Sequence, residues 1–152
     1  KQPRQLLQSI PGLQLIELKQ PEMCCGSAGV YNIMQSETAN QVLDAKIADV
    51  DLVITAEGSI DFQTPHGKVP AEVARRAARA GVPVMGLAGS IGRGADAVHE
   101  VGIDAITSIV DLPMALSDAF AQGQRMLMDA TEQMMRMVLV GVSISDPRAG
   151  RN

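Results

Sequence analysis

Apolar residues recur with two different periods along the chain, and these periods predict strands and helices in turn. Residues 13–18 alternate apolar and polar side chains, as a half-buried strand does. Short apolar runs predict three further strands, of the kind that a parallel sheet buries on both faces. These runs occupy residues 51–55, 82–88 and 103–107.

Helical spacing separates the predicted strands. Residues 36–47 carry apolar side chains three and four positions apart, with Ser36 as the predicted N-cap. Residues 70–80 predict a second helix, because Pro70 suits a first turn and Gly81 suits the left-handed position after a helix end. A short helix is predicted over residues 94–101.

The long segment over residues 113–140 predicts one extended helix. Its predicted apolar face consists of Met114, Phe120, Leu127, Met134 and Val138. Six methionines in this segment suit a helix packed on a sheet, because flexible thioethers fill irregular gaps. The polar tail 145–152 is expected to fray.

The alternation of strands and helices predicts an α/β fold. We expect a parallel sheet with helices on both faces, in a three-layer flavodoxin- or Rossmann-like sandwich, formed by one domain of 152 residues. In such sheets ligands bind beyond the carboxyl ends of the strands, beside helix N-termini. Chemistry is therefore expected in residues 24–31, 56–68 and 89–94.

Composition excludes several classes of function. With 46% apolar and 20% charged residues the chain can bury a core, and its net charge of −4 argues against nucleic-acid and anionic-membrane partners. Two phenylalanines, one tyrosine and no tryptophan provide few base-stacking platforms for a nucleic acid. The apolar runs are short for a membrane helix, and no basic-led apolar segment opens the chain, so we expect a cytoplasmic protein.

The polar stretch over residues 55–68 is the most informative candidate site. Phosphoryl transfer needs a carboxylate to orient a hydroxyl or hold Mg²⁺, and a cation to draw off phosphate charge. Glu57 and Asp61 fit the first role and Lys68 the second. The alternative is a polar turn whose side chains only shape the chain before a helix.

Other polar groups are weaker candidates. The glycine-rich residues 89–94 lie between a strand and a helix, where backbone N–H groups can cradle phosphate, although the ending of a Walker A loop is absent. An ordinary turn there stays equally open. Three arginines of one predicted helix, Arg75, Arg76 and Arg79, are expected on its solvated side.

Residues 51–141 closely resemble the C-terminal part of the ATP-dependent glycerate kinases. The matching text is L-V-I-T-A-E-G-S-I-D-F-Q-T-P-H-G-K-V-P at 52–70, with further matches at 81–90 and 102–106. The family pattern T-G-E-G-x-I-D-x-Q-(T/S)-x-x-G-K departs here at Ala56, which replaces a glycine, and at Ser59, which replaces the usual arginine. The missing guanidinium removes a cationic fork suited to phosphate or carboxylate.

The resemblance implies phosphoryl transfer from Mg-ATP to glycerate. It assigns catalytic roles to Glu57, Asp61 and Lys68. It also implies a set of substrate- or phosphate-binding residues: Gln63, Thr64, Gly67, Gly89 and Ser90. Because the family's enzymes are much longer than this chain, we expect weak or no catalysis from these residues alone.

Residues 1–48 resemble the cysteine-rich module of the glycolate oxidase iron–sulfur subunit, through E-M-C-C-G-S-A-G-V-Y-N at 22–32. That family holds a cluster with this cysteine pair and further cysteines, whereas this chain has only Cys24 and Cys25. No iron–sulfur cluster and no resident metal are therefore expected. The chain is predicted to be a mosaic, with residues 1–48 from this module and residues 49–144 glycerate-kinase-like.

Two other functions remain open from the sequence. One is a non-catalytic chimeric or structural α/β scaffold, which keeps inherited loops without their activity. The other is an iron–sulfur electron-transfer fragment, which needs two chains to pool their cysteines. Colour from a cluster or an ATP-dependent rise in melting temperature separates these alternatives, and the oligomeric state stays open.

Overall fold

The computed structural model describes residues 34–145, together with the isolated positions Gln8, Gln14, Ile16 and Glu17. The strand predicted over residues 13–18 lies outside the continuously described part of the chain. The same is true of Cys24 and Cys25.

Helices and strands alternate through the described residues. In chain order the elements are α1 (Ser36–Ile47), β1 (Val53–Ile60), α2 (Val69–Ala80), β2 (Val84–Ile91), a 3₁₀ helix (Ala95–Val101), β3 (Ala105–Ser108) and α3 (Leu116–Ser145). The described strands form one sheet in the order β1–β2–β3, and β1 pairs with β2 in parallel, from Val53 opposite Val84 to Ile60 opposite Ile91. The predicted α/β class with a parallel sheet is confirmed.

Both paired strands extend beyond their predicted ends. β1 continues to Ile60 and β2 continues to Ile91. The added residues include glycines and serines, which do not form an apolar run and have low strand propensity. A Cβ at Gly89 would lie 2.5 Å from the Gly58 carbonyl oxygen, so glycine permits this close approach of the two backbones. The candidate residues Gly89 and Ser90 therefore belong to a strand and not to a turn.

The boundaries of α1 and α2 follow the predictions closely, apart from one cap, whereas α3 begins at Leu116 and ends at Ser145 and not over the predicted 113–140. α1 has the predicted bounds, but Gln35 occupies the N-cap position and makes no side-chain capping hydrogen bond, so the prediction for Ser36 is wrong. α2 ends at Ala80, and the cap residue Gly81 is left-handed at φ 71° as predicted, with its N–H bonded to the last turn of the helix.

Contacts divide the chain into two compact units, and the first of them runs from Ile16 to Ile106. Its core consists of Ile47, Ile60, Ala74, Ala77, Val84, Ala88, Ala95, Val98 and Ile103. Alanine on the buried side of α2 brings the helix backbone close to its neighbours. Gly102 has φ 98°, and a Cβ there would lie 3.2 Å from the Ala74 carbonyl oxygen, so this position favours glycine.

The described part of the second unit runs from Thr107 to Ser145 and is mostly α3. Met134 is fully buried, as predicted. Phe120 and Leu127 are 79% and 44% exposed, and Met126, outside the predicted face, is buried. Met126 lies about 80° around the helix from Met134, so the buried side is centred on one flank of the predicted stripe. Within the described residues, no helix combines the length and the apolarity that a membrane span requires.

Candidate functional site

Asp61 and Lys68 meet where β1 ends and α2 begins. The Lys68 Nζ lies 3.3 Å from Asp61 Oδ1 and donates a hydrogen bond to the Ser59 carbonyl oxygen at 3.2 Å. Lys68 is the extended N-cap residue of α2, so its side chain starts beside the first backbone N–H groups of that helix. A cation and a carboxylate thus face each other at the carboxyl end of a parallel strand.

Reciprocal hydrogen bonds close the turn that follows β1. The Asp61 N–H donates to Thr64 Oγ1 at 3.0 Å, and the Thr64 N–H donates to the Asp61 carbonyl oxygen at 3.0 Å. The Gln63 N–H donates to Asp61 Oδ1 at 2.9 Å. Thr64 is completely buried, so its hydroxyl is used within the turn. These bonds set the direction of the Asp61 side chain.

The same contacts keep Asp61 ionised. The hydrogen bond from the Gln63 N–H is the largest influence, and the ammonium group of Lys68 acts in the same direction. Together they outweigh partial desolvation and hold the pKa of Asp61 below its ordinary value. At neutral pH the group is a carboxylate, which accepts hydrogen bonds and suits Mg²⁺.

The other two candidates of this segment lie to either side of the pair. The Glu57 carboxylate accepts a hydrogen bond from the Gly58 N–H at 3.3 Å, and among the described residues no hydrogen bond or ion pair joins it to Asp61 or Lys68. Gly67 has φ 105°, a conformation that favours glycine, and directly precedes Lys68. The structure therefore brings Asp61 and Lys68 together. Gly67 provides the backbone turn before Lys68, and Glu57 is not bonded to either residue.

Two serine hydroxyls join the ends of the neighbouring strands. Ser90 Oγ donates to Ser59 Oγ at 3.2 Å, and these residues are also opposite each other in the register of β1 and β2. The sequence pattern treats Ser59 only as a missing arginine. A serine on each of two strands does not signal a pair until the register is known.

The two candidate segments are hydrogen-bonded to each other. The Gly92 N–H donates to the Ile60 carbonyl oxygen at 2.8 Å, and the Phe62 N–H donates to the Arg93 carbonyl oxygen at 3.1 Å. Ladder-like pairing therefore continues beyond the strands into both turns. Gly92 and Arg93 therefore lie beside the end of β1 and the start of the turn that carries Asp61.

The prediction that three arginines form a solvated side of α2 is wrong for Arg76. Its guanidinium is only 8% exposed and bonds to Asp44 at 2.9 and 3.1 Å and to Glu72 at 2.7 Å. Burial lowers the pKa of Arg76, but these carboxylates outweigh it and raise the pKa overall. Asp44 is 32 residues away in sequence, so its helix-to-helix pairing could not be read from local spacing.

Arg75 ties the candidate turn to α2. Its Nη2 donates to the Pro65 carbonyl oxygen at 2.6 Å. Pro65 lies between the Asp61–Thr64 hydrogen bonds and Lys68, so this bond holds the second half of the turn against the helix. Arg75 is therefore a positioning residue that the sequence pattern did not identify.

Across residues 34–145 and the isolated positions, no cluster of three or more His, Cys, Asp or Glu side chains could hold a metal ion. A Mg²⁺ ion that arrives with a nucleotide needs only one or two carboxylates, because phosphate oxygens and waters supply its other ligands. Both described contacts of the Asp61 carboxylate use Oδ1, which leaves Oδ2 for such an ion. The pair therefore fits a magnesium–phosphate ligand.

Known proteins match long stretches of the chain. The Glycerate kinase family profile matches residues 27–139. The glycerate kinase of Halalkalibacterium halodurans is 44% identical over 102 residues, which cover 67% of this chain and 26% of that protein. A protein assigned as glycerate kinase 2 from Salmonella typhimurium LT2 has a crystal structure with a TM-score of 0.51 and 35% identity, covering 70% of this chain and 27% of that one.

A further match involves another kind of protein. A Bacillus subtilis protein named "Probable glycolate oxidase iron-sulfur subunit" is 45% identical over 71 residues, covering 43% of this chain and 16% of its own length. The chain spans about a quarter of the length of the two glycerate kinases above, at 26% and 27%.

Proposed function

The chain belongs to the glycerate kinase family, and from this premise we propose that it carries the phosphate-binding loop for transfer of the ATP γ-phosphoryl group to a hydroxyl of glycerate. The observation that carries the proposal is the Asp61–Lys68 pair, 3.3 Å apart at the carboxyl end of β1. An ionised carboxylate and a cation in this position are the groups that phosphoryl transfer uses.

Lys68 is the proposed phosphate ligand. Its ammonium group is held by Asp61 and by the Ser59 carbonyl oxygen. A phosphate oxygen is a stronger partner than a neutral carbonyl oxygen, so the ammonium would exchange one of these contacts for the ligand. The N-terminal N–H groups of α2 add favourable positive potential at the same place.

Asp61 is proposed to bind Mg²⁺ or to accept a hydrogen bond from the substrate hydroxyl. Glu57 is the weaker candidate for these roles. The lowered pKa of Asp61 makes it a poor proton acceptor but a good ligand for a hard cation. Mg²⁺ would supply neutralisation of the developing phosphate charge. The rate would then depend on positioning and electrostatics, and not on covalent chemistry by the protein.

Gln63, Thr64, Gly67, Gly89 and Ser90 have different proposed contributions. The buried Thr64 and the left-handed Gly67 shape the loop, and Gly89 allows close contact between β1 and β2. Ser90 presents an exposed hydroxyl that is bonded to Ser59, where it can contact a ligand. Gln63 is exposed on the turn beside Asp61.

The activity proposed for these 152 residues is ligand binding with weak or no turnover. The chain spans about a quarter of its matched relatives, and a serine stands at position 59 where the family pattern has arginine. The loss of that guanidinium favours the competing proposal, a non-catalytic α/β scaffold with inherited loops. Binding of Mg-ATP discriminates between the two.

A separate proposal concerns origin. We infer that residues 1–48 derive from a cysteine-rich module and that a junction near residues 45–51 joins them to the kinase-like part. The match to the iron–sulfur subunit and the sequence C-C-G at 24–26 support this inference. The family match begins at residue 27, upstream of that junction.

The test is calorimetric titration of the unmutated chain with Mg-ATP and, separately, with glycerate, each to millimolar concentration. We expect Mg-ATP to bind, and a coupled assay for ADP to show slow or no turnover when both ligands are present. Failure of both ligands to bind would refute the kinase proposal and leave the inert scaffold.

A further inference from the structure

Phe62 is an exposed aromatic residue for which the proposed phosphate chemistry has no use. It follows Asp61 directly in the chain, and 58% of its surface is exposed. Exposing a phenyl ring to water costs free energy. Because Phe62 lies beside the Asp61–Lys68 pair, a ligand bound by the pair is a candidate to cover the ring.

The backbone of Phe62 is held on both sides, although its ring is exposed. Its N–H donates to the Arg93 carbonyl oxygen at 3.1 Å. A Cβ at Gly94 would lie 2.9 Å from the Phe62 Cβ, so the glycine there lets the turn pack against the base of the side chain. Gly94 also has φ 71°, which disfavours other residues. The ring therefore projects from a fixed point, and little backbone freedom would be lost on binding.

Asp61 and Phe62 present different chemistry within one residue of each other. The Asp61 carboxylate bonds to the Lys68 ammonium group at 3.3 Å, and the next side chain is a flat apolar ring. A nucleotide combines the same two features, since an aromatic base and charged phosphates are joined through one ribose. Glycerate has a carboxylate and hydroxyls but no flat face for a ring.

We propose that the Asp61–Lys68 loop holds the nucleotide and not glycerate, with Phe62 stacked on the base while Lys68 binds the phosphates. This inference rests on the proposed function and specifies which substrate the loop takes. Stacking on an aromatic side chain strengthens binding roughly five- to a hundredfold per base and tolerates any base. Phe62 is thus a specificity residue that favours nucleoside triphosphates over inorganic polyphosphate.

The experiment compares Mg-ATP with magnesium tripolyphosphate, which has the phosphates without the base, and with glycerate. Calorimetry of the full chain uses three variants: Phe62→Leu, Lys68→Ala and Phe120→Leu. Phe120 is the matched control, because it is another exposed phenylalanine at 79%, on α3 in the other unit. Melting temperatures establish that each variant is folded.

We expect Phe62→Leu to weaken Mg-ATP binding about tenfold and to leave tripolyphosphate binding unchanged. Lys68→Ala should weaken both ligands, and Phe120→Leu should weaken neither. Proton NMR gives a second measurement, since stacking moves the adenine H2 and H8 resonances upfield in the unmutated chain and in Phe120→Leu but not in Phe62→Leu.

Three results would overturn the inference. If Phe62→Leu leaves Mg-ATP affinity unchanged while Lys68→Ala lowers it, Phe62 has no role and the phosphate proposal stands. If Lys68→Ala weakens glycerate but not Mg-ATP, the loop belongs to the acceptor. If the unmutated chain binds none of Mg-ATP, tripolyphosphate and glycerate, this inference and the proposed function fail together.

Discussion

The burial of the Arg76 guanidinium predicts that removing its carboxylate partners costs more stability than removing the arginine itself. Arg76 is 8% exposed, whereas the side chains of Asp44 and Glu72 are 57% and 49% exposed. Breaking a buried pair costs roughly 3–5 kcal/mol when the remaining charge stays buried and unpaired. That condition applies here only when the carboxylates are removed.

The variant Arg76→Met keeps an apolar stem of similar length in the buried position and releases two carboxylates that water already reaches. We therefore discount the buried-pair cost for solvent screening to about 1–2 kcal/mol. The double variant Asp44→Asn with Glu72→Gln instead leaves the guanidinium charge buried beside neutral amides. We expect it to cost roughly 3 kcal/mol. Helix-dipole effects of the two carboxylates oppose each other, since Asp44 lies near the end of α1 and Glu72 in the first turn of α2.

Urea unfolding measures the difference, as a shift of the midpoint at constant slope. Arg136→Met is the matched control, because Arg136 bonds to Glu132 on the exposed side of α3 and should cost less than about 0.5 kcal/mol. If Arg76→Met is as costly as the double carboxylate variant, or if Arg136→Met is as costly as Arg76→Met, burial of the guanidinium does not determine the cost.

Three further predictions concern the loop and the strands beside it. Lys68→Ala should weaken Mg-ATP binding roughly ten- to a hundredfold while Arg136→Ala does not, as measured by calorimetry; equal losses would indicate a general charge effect. Folding lowers the pKa of Asp61, so the ionised carboxylate stabilises the folded state. This stabilisation is complete above the unfolded-state pKa near 3.8 and is lost as the pH falls through the folded-state pKa. Urea midpoints of the unmutated chain and Asp61→Asn should therefore converge in acid, and a constant difference would contradict this. Gly89→Ala should destabilise the sheet by about 1–3 kcal/mol, whereas Gly58→Ala, with nothing within 4 Å of its added Cβ, should stay within about 0.5 kcal/mol by thermal or urea unfolding.

Local pattern was sufficient for the parts of the fold that local forces determine. α1 and α2 were predicted almost to the residue, because their apolar spacing and the left-handed Gly81 act over a few positions. The strands were predicted where they are apolar, and missed where glycine and serine continue them to Ile60 and Ile91. Those ends are strands because the neighbouring strand supplies hydrogen bonds. The sequence of one segment alone does not show these bonds.

The same limit applies to the site. The fixed spacing of the motif identified Asp61 and Lys68 as candidates. The turn between them is short, so nearby residues form its hydrogen bonds. The bonds from Ser90 to Ser59 and from Arg76 to Asp44 join positions 31 and 32 residues apart. Their partners follow from register and from helix packing, so sequence alone could name the residues but could not pair them.

Contacts between residues at most ten positions apart fix the conformation of the loop. Arg75 holds the Pro65 carbonyl oxygen, Thr64 closes the turn, and Lys68 spans from Asp61 to the Ser59 carbonyl oxygen. The Asp61–Lys68 pair is neutral in sum, so it attracts a bare polyphosphate weakly. A magnesium ion on Asp61 would remove the carboxylate's hold on Lys68 and leave the ammonium group for phosphate oxygens. If the loop works as proposed, metal and phosphate therefore bind as one ligand, each relieving the electrostatic cost of the other.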